Sequence, residues 1–224
     1  MTPPPAFNAI VLDVDSTLCG IEGIDALAKR RGPEVGTAIA ALTERAMNGE
    51  LTLDAIYGER LKIIRPGESD IRELADAYAA ALAPDAATVV RQLRERGVRL
   101  VLVSGGIRQA ILPVARALGF ADADLNAVAV EFDAAGQYAG YDARSPLTTQ
   151  HGKRTVVAHL ALPHPILAVG DGSTDIAMRE VTDAFAAYVG FIRRDNVVSA
   201  ADHVVTSFQE LAELTLAGRS IPAE

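Results

Sequence analysis

Apolar and polar positions alternate along this chain in two different rhythms. Residues 9–12 form an unbroken apolar run that ends at Asp13, the mark of a strand buried on both faces of a parallel sheet. From about Ile21 to Leu82 the rhythm becomes helical. Ile24, Leu27 and Ala28 share one helical face, Ile39, Leu42 and Ala46 another, and Ile56, Leu61 and Ile64 a third, less regular one. Thr52 is a candidate N-cap, residues 65–68 read as a loop, and a helix is predicted from about Ser69. Pro84 and Asp85 open a further helix that ends near Gly97.

Beyond Gly97 strands and helices alternate. Strands are predicted at 99–103, 166–169, 185–189 and 203–205, and helices at 107–118, 153–162 and 176–181. Residues 128–132 and 137–141 read as a small hairpin around the turn 133–136. Ser207 and Glu210 form a capping box for a closing helix. The expected fold class is therefore α/β. A doubly wound, mostly parallel sheet occupies residues 1–19 and 84–224, with an inserted helical cap at 20–83.

Composition narrows the function. Half of the 224 residues are hydrophobic, and the mean hydropathy is +0.19, but no uncharged apolar run reaches membrane-spanning length. The opening segment, Met1 to Ala6, is Pro-rich and reads as a short extended arm. It lacks Lys and Arg and precedes no signal-like stretch, so a cytoplasmic protein is expected. Cys19 is the only cysteine, which rules out an intrachain disulfide and suits a small buried filler. A net charge of −8 argues against nucleic acid as a partner while leaving room for a small anionic substrate at a locally positive site. His151, His159, His164 and His203 show no metal-ligand spacing and are expected at surfaces or helix ends.

Three predicted strands end in polar residues: Asp13-Val14-Asp15-Ser16-Thr17, Ser104-Gly105-Gly106, and Gly170-Asp171-Gly172-Ser173-Thr174-Asp175. Ligands of open parallel sheets collect at such carboxyl ends. Two carboxylates two residues apart at one strand end point the same way. One can serve as a nucleophile and the other as an acid and base. Ser104, with the backbone N–H groups of Gly105 and Gly106, can cradle phosphate, and Lys153 can neutralise it.

With these motifs in this order, over residues 9 to about 214, the sequence resembles the haloacid dehalogenase superfamily and, within it, the phosphoserine phosphatases. Glu22-Gly23-Ile24-Asp25, Arg45-Ala46-Met47, Glu59-Arg60-Leu61 and Gly140-Tyr141 add to the resemblance. It implies a Rossmann-like core and hydrolysis of phosphoserine through an aspartyl-phosphate on Asp13. Asp15 is then the acid and base, with Ser104 and Lys153 as further catalytic residues. One Mg²⁺ ion is implied on Asp13, Asp171 and the Asp15 carbonyl, with Asp175 behind it holding the metal's water shell or Lys153. Glu22 and Arg60 would recognise the ammonium and carboxylate of the substrate. Met47, Gly49 and Leu53 would line its wall, and Thr174, Gly105 and Gly106 would complete the site. After Gly190-Phe191 the chain departs from the family's usual Gly-Gly-Asn stretch, and either Arg193 or Arg194 is left to approach the site, Arg194 being the closer match. A phosphatase or phosphotransferase acting on another small monoester, such as phosphohomoserine or a sugar phosphate, would use the same residues. A non-catalytic phosphometabolite-binding regulator would have no need of Asp13 beside Asp15. A monomer or a homodimer is expected.

Overall fold

The computed structural model describes residues 5–48 and 50–217. The first strand, β1 (Ala9–Leu12), is wholly buried. Four helices follow it: α1 (Gly23–Lys29), α2 (Pro33–Met47), α3 (Leu53–Ile64) and α4 (Glu68–Ala80). Next come α5 (Ala86–Glu95), β2 (Arg99–Ile107), α6 (Arg108–Ala117), β3 (Leu125–Val128), β4 (Val130–Phe132) and β5 (Tyr138–Tyr141). The chain closes with α7 (Gly152–His159), β6 (Ile166–Gly170), α8 (Ser173–Ile176), β7 (Ala184–Tyr188), α9 (Asp195–Ala200), β8 (His203–Val205) and α10 (Phe208–Leu216).

Six strands pair in parallel in the order β3-β2-β1-β6-β7-β8, and β4 with β5 makes a separate antiparallel hairpin. This is the expected doubly wound α/β sheet. The order turns outward on either side of the β1–β6 pair, so the crevice of the sheet opens at their carboxyl ends. The four helices α1–α4 sit in the chain between β1 and β2, which are adjacent strands. The crossing points of the two connecting segments are tied together. Gly20 N donates to Ala81 O (2.8 Å), Ala83 N donates to Leu18 O (2.9 Å), and Cys19 bridges to Leu82.

Several elements differ from the sequence expectation. Residues 125–132 hold two strands, with β3 on the edge of the main sheet and only β4 in the hairpin. β2 runs on through Ser104, Gly105 and Gly106 to Ile107, so the following helix starts one residue later than predicted. The helical turn after the third motif begins at Ser173, and residues 177–181 are a 3-10 segment in place of an α-helix. The helix from 153 stops at His159, before Leu160 to Leu162. Thr52 is the N-cap of α3 but makes no side-chain capping bond. α9 had no signal in the sequence. Ser207 does cap α10, accepting from Glu210 N. The arm residues Pro3 and Pro4, and Gly49, lie outside the described residues.

Candidate active site

The three polar strand ends meet at the carboxyl edge of β1, β2 and β6. Asp13 follows β1 directly, and its N–H donates to Val169 O of β6 at 3.0 Å. Ser16 then turns with φ 53°, a left-handed value uncommon outside glycine, and its hydroxyl donates to Glu22 Oε1 at 2.7 Å. That turn carries the chain away from the sheet and into α1, whose N-cap is Glu22.

Lys153 Nζ lies 2.6 Å from both Asp13 Oδ1 and Asp175 Oδ1. All three side chains are buried. Burial pulls the ammonium toward neutrality, but the two carboxylates outweigh it and hold Lys153 protonated well above the usual lysine range. Burial, then the charge of Asp175, pushes Asp13 well above the usual carboxylate range. Asp171 is raised too, by burial and then by the charges of Glu22 and Asp175. It accepts from Thr17 Oγ1 (3.3 Å) and is paired with Arg194.

Asp15 is pushed up to about 7, chiefly by burial and then by the charge on Asp13. Its Oδ1 accepts from Tyr78 Oη at 2.5 Å. Glu22 is pushed up to about 8 by burial and then by Asp15. Ser104 Oγ accepts from Gly106 N (2.9 Å), closing the small turn at the end of β2. Gly172 fits closely beneath α2, since a Cβ there would stand 2.6 Å from Met47 Sδ.

Arg60 is 4% exposed and stands on α3 one turn from Tyr57. Its Nη1 donates to Thr43 Oγ1 (2.8 Å), which donates to Asp25 Oδ1 (2.5 Å). Its Nε is buried and has no partner. Burial lowers the guanidinium from its ordinary value, although Asp25 opposes this. One pocket is lined by Asp13, Asp15, Glu22, Arg60, Ser104 and Lys153 together. Gly105, Gly106, Thr174, Met47 and Leu53 also border it. Arg194, of the two candidates after β7, is the buried one, and Arg193 points to Asp195 on the surface. Thus all the expected site residues meet here except Gly49, of which nothing is described.

Four residues of the pocket are not among those expected from the sequence, Ile24 of α1 being one. Tyr57 donates to Gly105 O (2.9 Å), and Thr149 and Leu147 supply part of the wall. Tyr57 was within reach of sequence reasoning, because it shares a helical face with Arg60. Tyr78 touches Asp15 from α4, and in the sequence it reads only as a core aromatic.

A metal fits this donor set. Carboxylate oxygens of Asp13, Asp171 and Asp175 all lie within 4.8 Å of one another. Five carboxylates (Asp13, Asp15, Glu22, Asp171, Asp175) crowd against the three cations Lys153, Arg60 and Arg194. A hard divalent cation with oxygen ligands relieves the surplus negative charge. Among the described residues no helix is long and apolar enough to cross a membrane.

Comparison with known proteins agrees with this geometry. The family model of haloacid dehalogenase-like hydrolases matches residues 7–181. Phosphoserine phosphatase of Rattus norvegicus is 35% identical over 207 residues, covering 91% of each chain. The chloroplastic phosphoserine phosphatase of Arabidopsis thaliana is 34% identical over 209 residues, covering 91% of this chain and 70% of the other. In fold, the chain is similar to a phosphoserine phosphohydrolase-like protein of Francisella tularensis. The TM-score is 0.82 at 24% identity, over 92% of this chain and 99% of that one. An intact motif set at the carboxyl edge of a doubly wound sheet and relatives of this identity lead to one conclusion: the chain belongs to the haloacid dehalogenase-like hydrolases, as a phosphoserine phosphatase-like phosphoric monoester hydrolase.

Proposed function

We propose that this enzyme hydrolyses O-phospho-L-serine to L-serine and phosphate through a phosphoryl-Asp13 intermediate, with one Mg²⁺ ion. The observation that carries the substrate assignment is Arg60. It is a buried guanidinium with an unpartnered Nε, bordering the same pocket as the acidic pair and Glu22. A buried donor without an acceptor costs roughly 1–3 kcal/mol, and more when charged. A substrate carboxylate supplies the acceptor and a fork that matches the guanidinium. Glu22 takes the substrate ammonium, and Met47 and Leu53 form the wall.

Asp13 attacks phosphorus, while Asp15 protonates the departing serine oxygen and later takes a proton from the attacking water. Ser104, the N–H groups of Gly105 and Gly106, Thr174 and Lys153 hold the phosphoryl oxygens. Asp13, Asp171 and the Asp15 carbonyl would hold Mg²⁺, with Asp175 behind them. When bound, the ion supplies positive charge between two anions that otherwise repel. Arg194 steadies Asp171. Segment 20–83 acts as a cap that excludes water during transfer. The rise of Asp15 to about 7 supports its acid–base role, because such a group changes protonation near neutral pH.

The test is phosphate release from a panel of small monoesters with Mg²⁺ and then with EDTA. L-phosphoserine is expected to lead in kcat/KM, and EDTA to stop the reaction. A different leading ester would overturn the substrate assignment while leaving the chemistry intact. Release that is indifferent to EDTA would overturn the metal.

A further inference from the structure

Tyr78 belongs to none of the strand-end motifs. It stands on α4 with no exposure to solvent, and its hydroxyl donates to Asp15 Oδ1 at 2.5 Å. Gly23, the first residue of α1, lies against this contact. A Cβ on Gly23 would overlap the Tyr78 hydroxyl oxygen, so glycine at the first position of α1 is what lets the phenol reach Asp15. The other carboxyl oxygen, Oδ2, lies beside the turn at the end of β2. A Cβ placed on Gly106 would stand 3.2 Å from it and 3.1 Å from Ser104 Oγ. The two oxygens of Asp15 thus have different surroundings: one is occupied by a buried donor, and the other lies by the turn assigned to phosphate.

We propose that Tyr78 is a positioning residue for the acid–base step, occupying Oδ1 of Asp15 and so presenting Oδ2 to the turn assigned to phosphate. The proposal rests on Asp15 being the acid and base. A protonated carboxyl group has one O–H and one carbonyl oxygen, and the carbonyl oxygen is the better acceptor for Tyr78. In phosphoryl transfer, an Asp13 oxygen bonds to phosphorus as the phosphorus–ester oxygen bond breaks. The electron pair of the broken bond stays on the ester oxygen, which takes the proton from Oδ2. Asp15 is left as a carboxylate, whose bond from Tyr78 strengthens as its charge appears. In the second half, the oxygen of water bonds to phosphorus and the phosphorus–Asp13 bond breaks. The proton released from the water returns to Oδ2. Tyr78 keeps its own proton throughout.

Leaving-group dependence tests this. An alkoxide such as that of serine needs a proton to depart, whereas p-nitrophenolate departs without one. The quantity to measure is the ratio of kcat/KM for phosphoserine to kcat/KM for p-nitrophenyl phosphate. Any alkyl phosphate that the wild-type enzyme turns over can replace phosphoserine, since only an alkoxide leaving group is required. Tyr78→Phe keeps the ring and its packing. It is expected to lower the ratio about 10-fold or more, the scale of one lost orienting hydrogen bond. Asp15→Asn is expected to lower it further. Gly23→Ala, which displaces the phenol from the other side, is expected to lower it in the same direction and supplies the test if Tyr78→Phe fails to fold. An unchanged ratio in Tyr78→Phe and Gly23→Ala, with a fallen ratio in Asp15→Asn, would overturn the role of Tyr78 and leave the acid in place. An unchanged ratio in Asp15→Asn would overturn the acid assignment and the proposal with it.

Discussion

At the scale of single residues, the site is made of charged groups that the fold has removed from water. Arg60 is the clearest case. Its Nη1 donates to Thr43, which in turn donates to Asp25, and Nε is left without a partner. Arg60→Ala is expected to raise KM for phosphoserine far more than for p-nitrophenyl phosphate, which has no carboxylate. Equal losses measured on both would show that Arg60 serves the fold. Asp13→Asn is expected to abolish turnover while keeping the far-ultraviolet circular dichroism of the wild type. Cys19 carries a different expectation. Burial, and then the charge of Asp15, pushes its thiol up to about 12, so it is almost entirely protonated at pH 8. An alkylating reagent should label it slowly in the native protein and fully after unfolding in guanidinium. Rapid native labelling would contradict the closed crossing at Cys19 and Leu82.

At the scale of elements, the strand-end positions of the motifs were legible in the sequence because a buried parallel strand is an apolar run, and its end is the first polar residue. Asp13 after β1 and Asp171 after β6 follow that rule. The edge strand β3 was not legible. Its four residues include Asn126, and only pairing with β2 makes them a strand. The six-residue helix α9 is too short for a helical period to show. Its anchoring has a pH consequence. Asp202, between α9 and β8, accepts from Arg179 Nε (3.0 Å) and Nη2 (2.5 Å) and from Phe185 N (3.0 Å). The Arg179 guanidinium, and then the Phe185 N–H, hold its carboxyl below the usual range. A depressed folded-state value means that this stabilisation is complete above the unfolded pKa of about 4 and is lost as the pH falls through the folded one. Asp202→Asn is therefore expected to lower Tm at pH 7, with the difference from wild type shrinking below about pH 4. A constant difference across that range would exclude the charge as its source.

At the scale of the whole molecule, helices α1–α4 and the sheet edge are joined by contacts that surround the pocket. Ser173 Oγ donates to Ala46 O (2.7 Å), and Asn196 Nδ2 donates to Asn48 O (3.2 Å). Gln150 accepts from Leu53 N (3.2 Å) and donates to Ser173 Oγ (3.1 Å). None of these ties was visible in the sequence, because polar side chains that bridge two elements carry no periodicity. The motif residues were visible because each combines an unusual residue type with a strand end. The acidic cluster also predicts a response of the molecule to metal. Mg²⁺ that binds only the folded state should raise Tm, by the equivalent of about 2.7 kcal/mol at a hundredfold excess over Kd. Asp171→Ala should lose most of that shift, and an equal shift in the variant would place the ion elsewhere.

The central claim is that Asp13 carries the phosphoryl group. Its most direct test is acid quenching of the enzyme during turnover of radiolabelled phosphoserine, followed by peptide mapping. The expected result is a hydroxylamine-labile label on the peptide containing Asp13 that disappears when excess unlabelled substrate is added before the quench. Label on another residue, or steady turnover with no labelled peptide, would contradict the account.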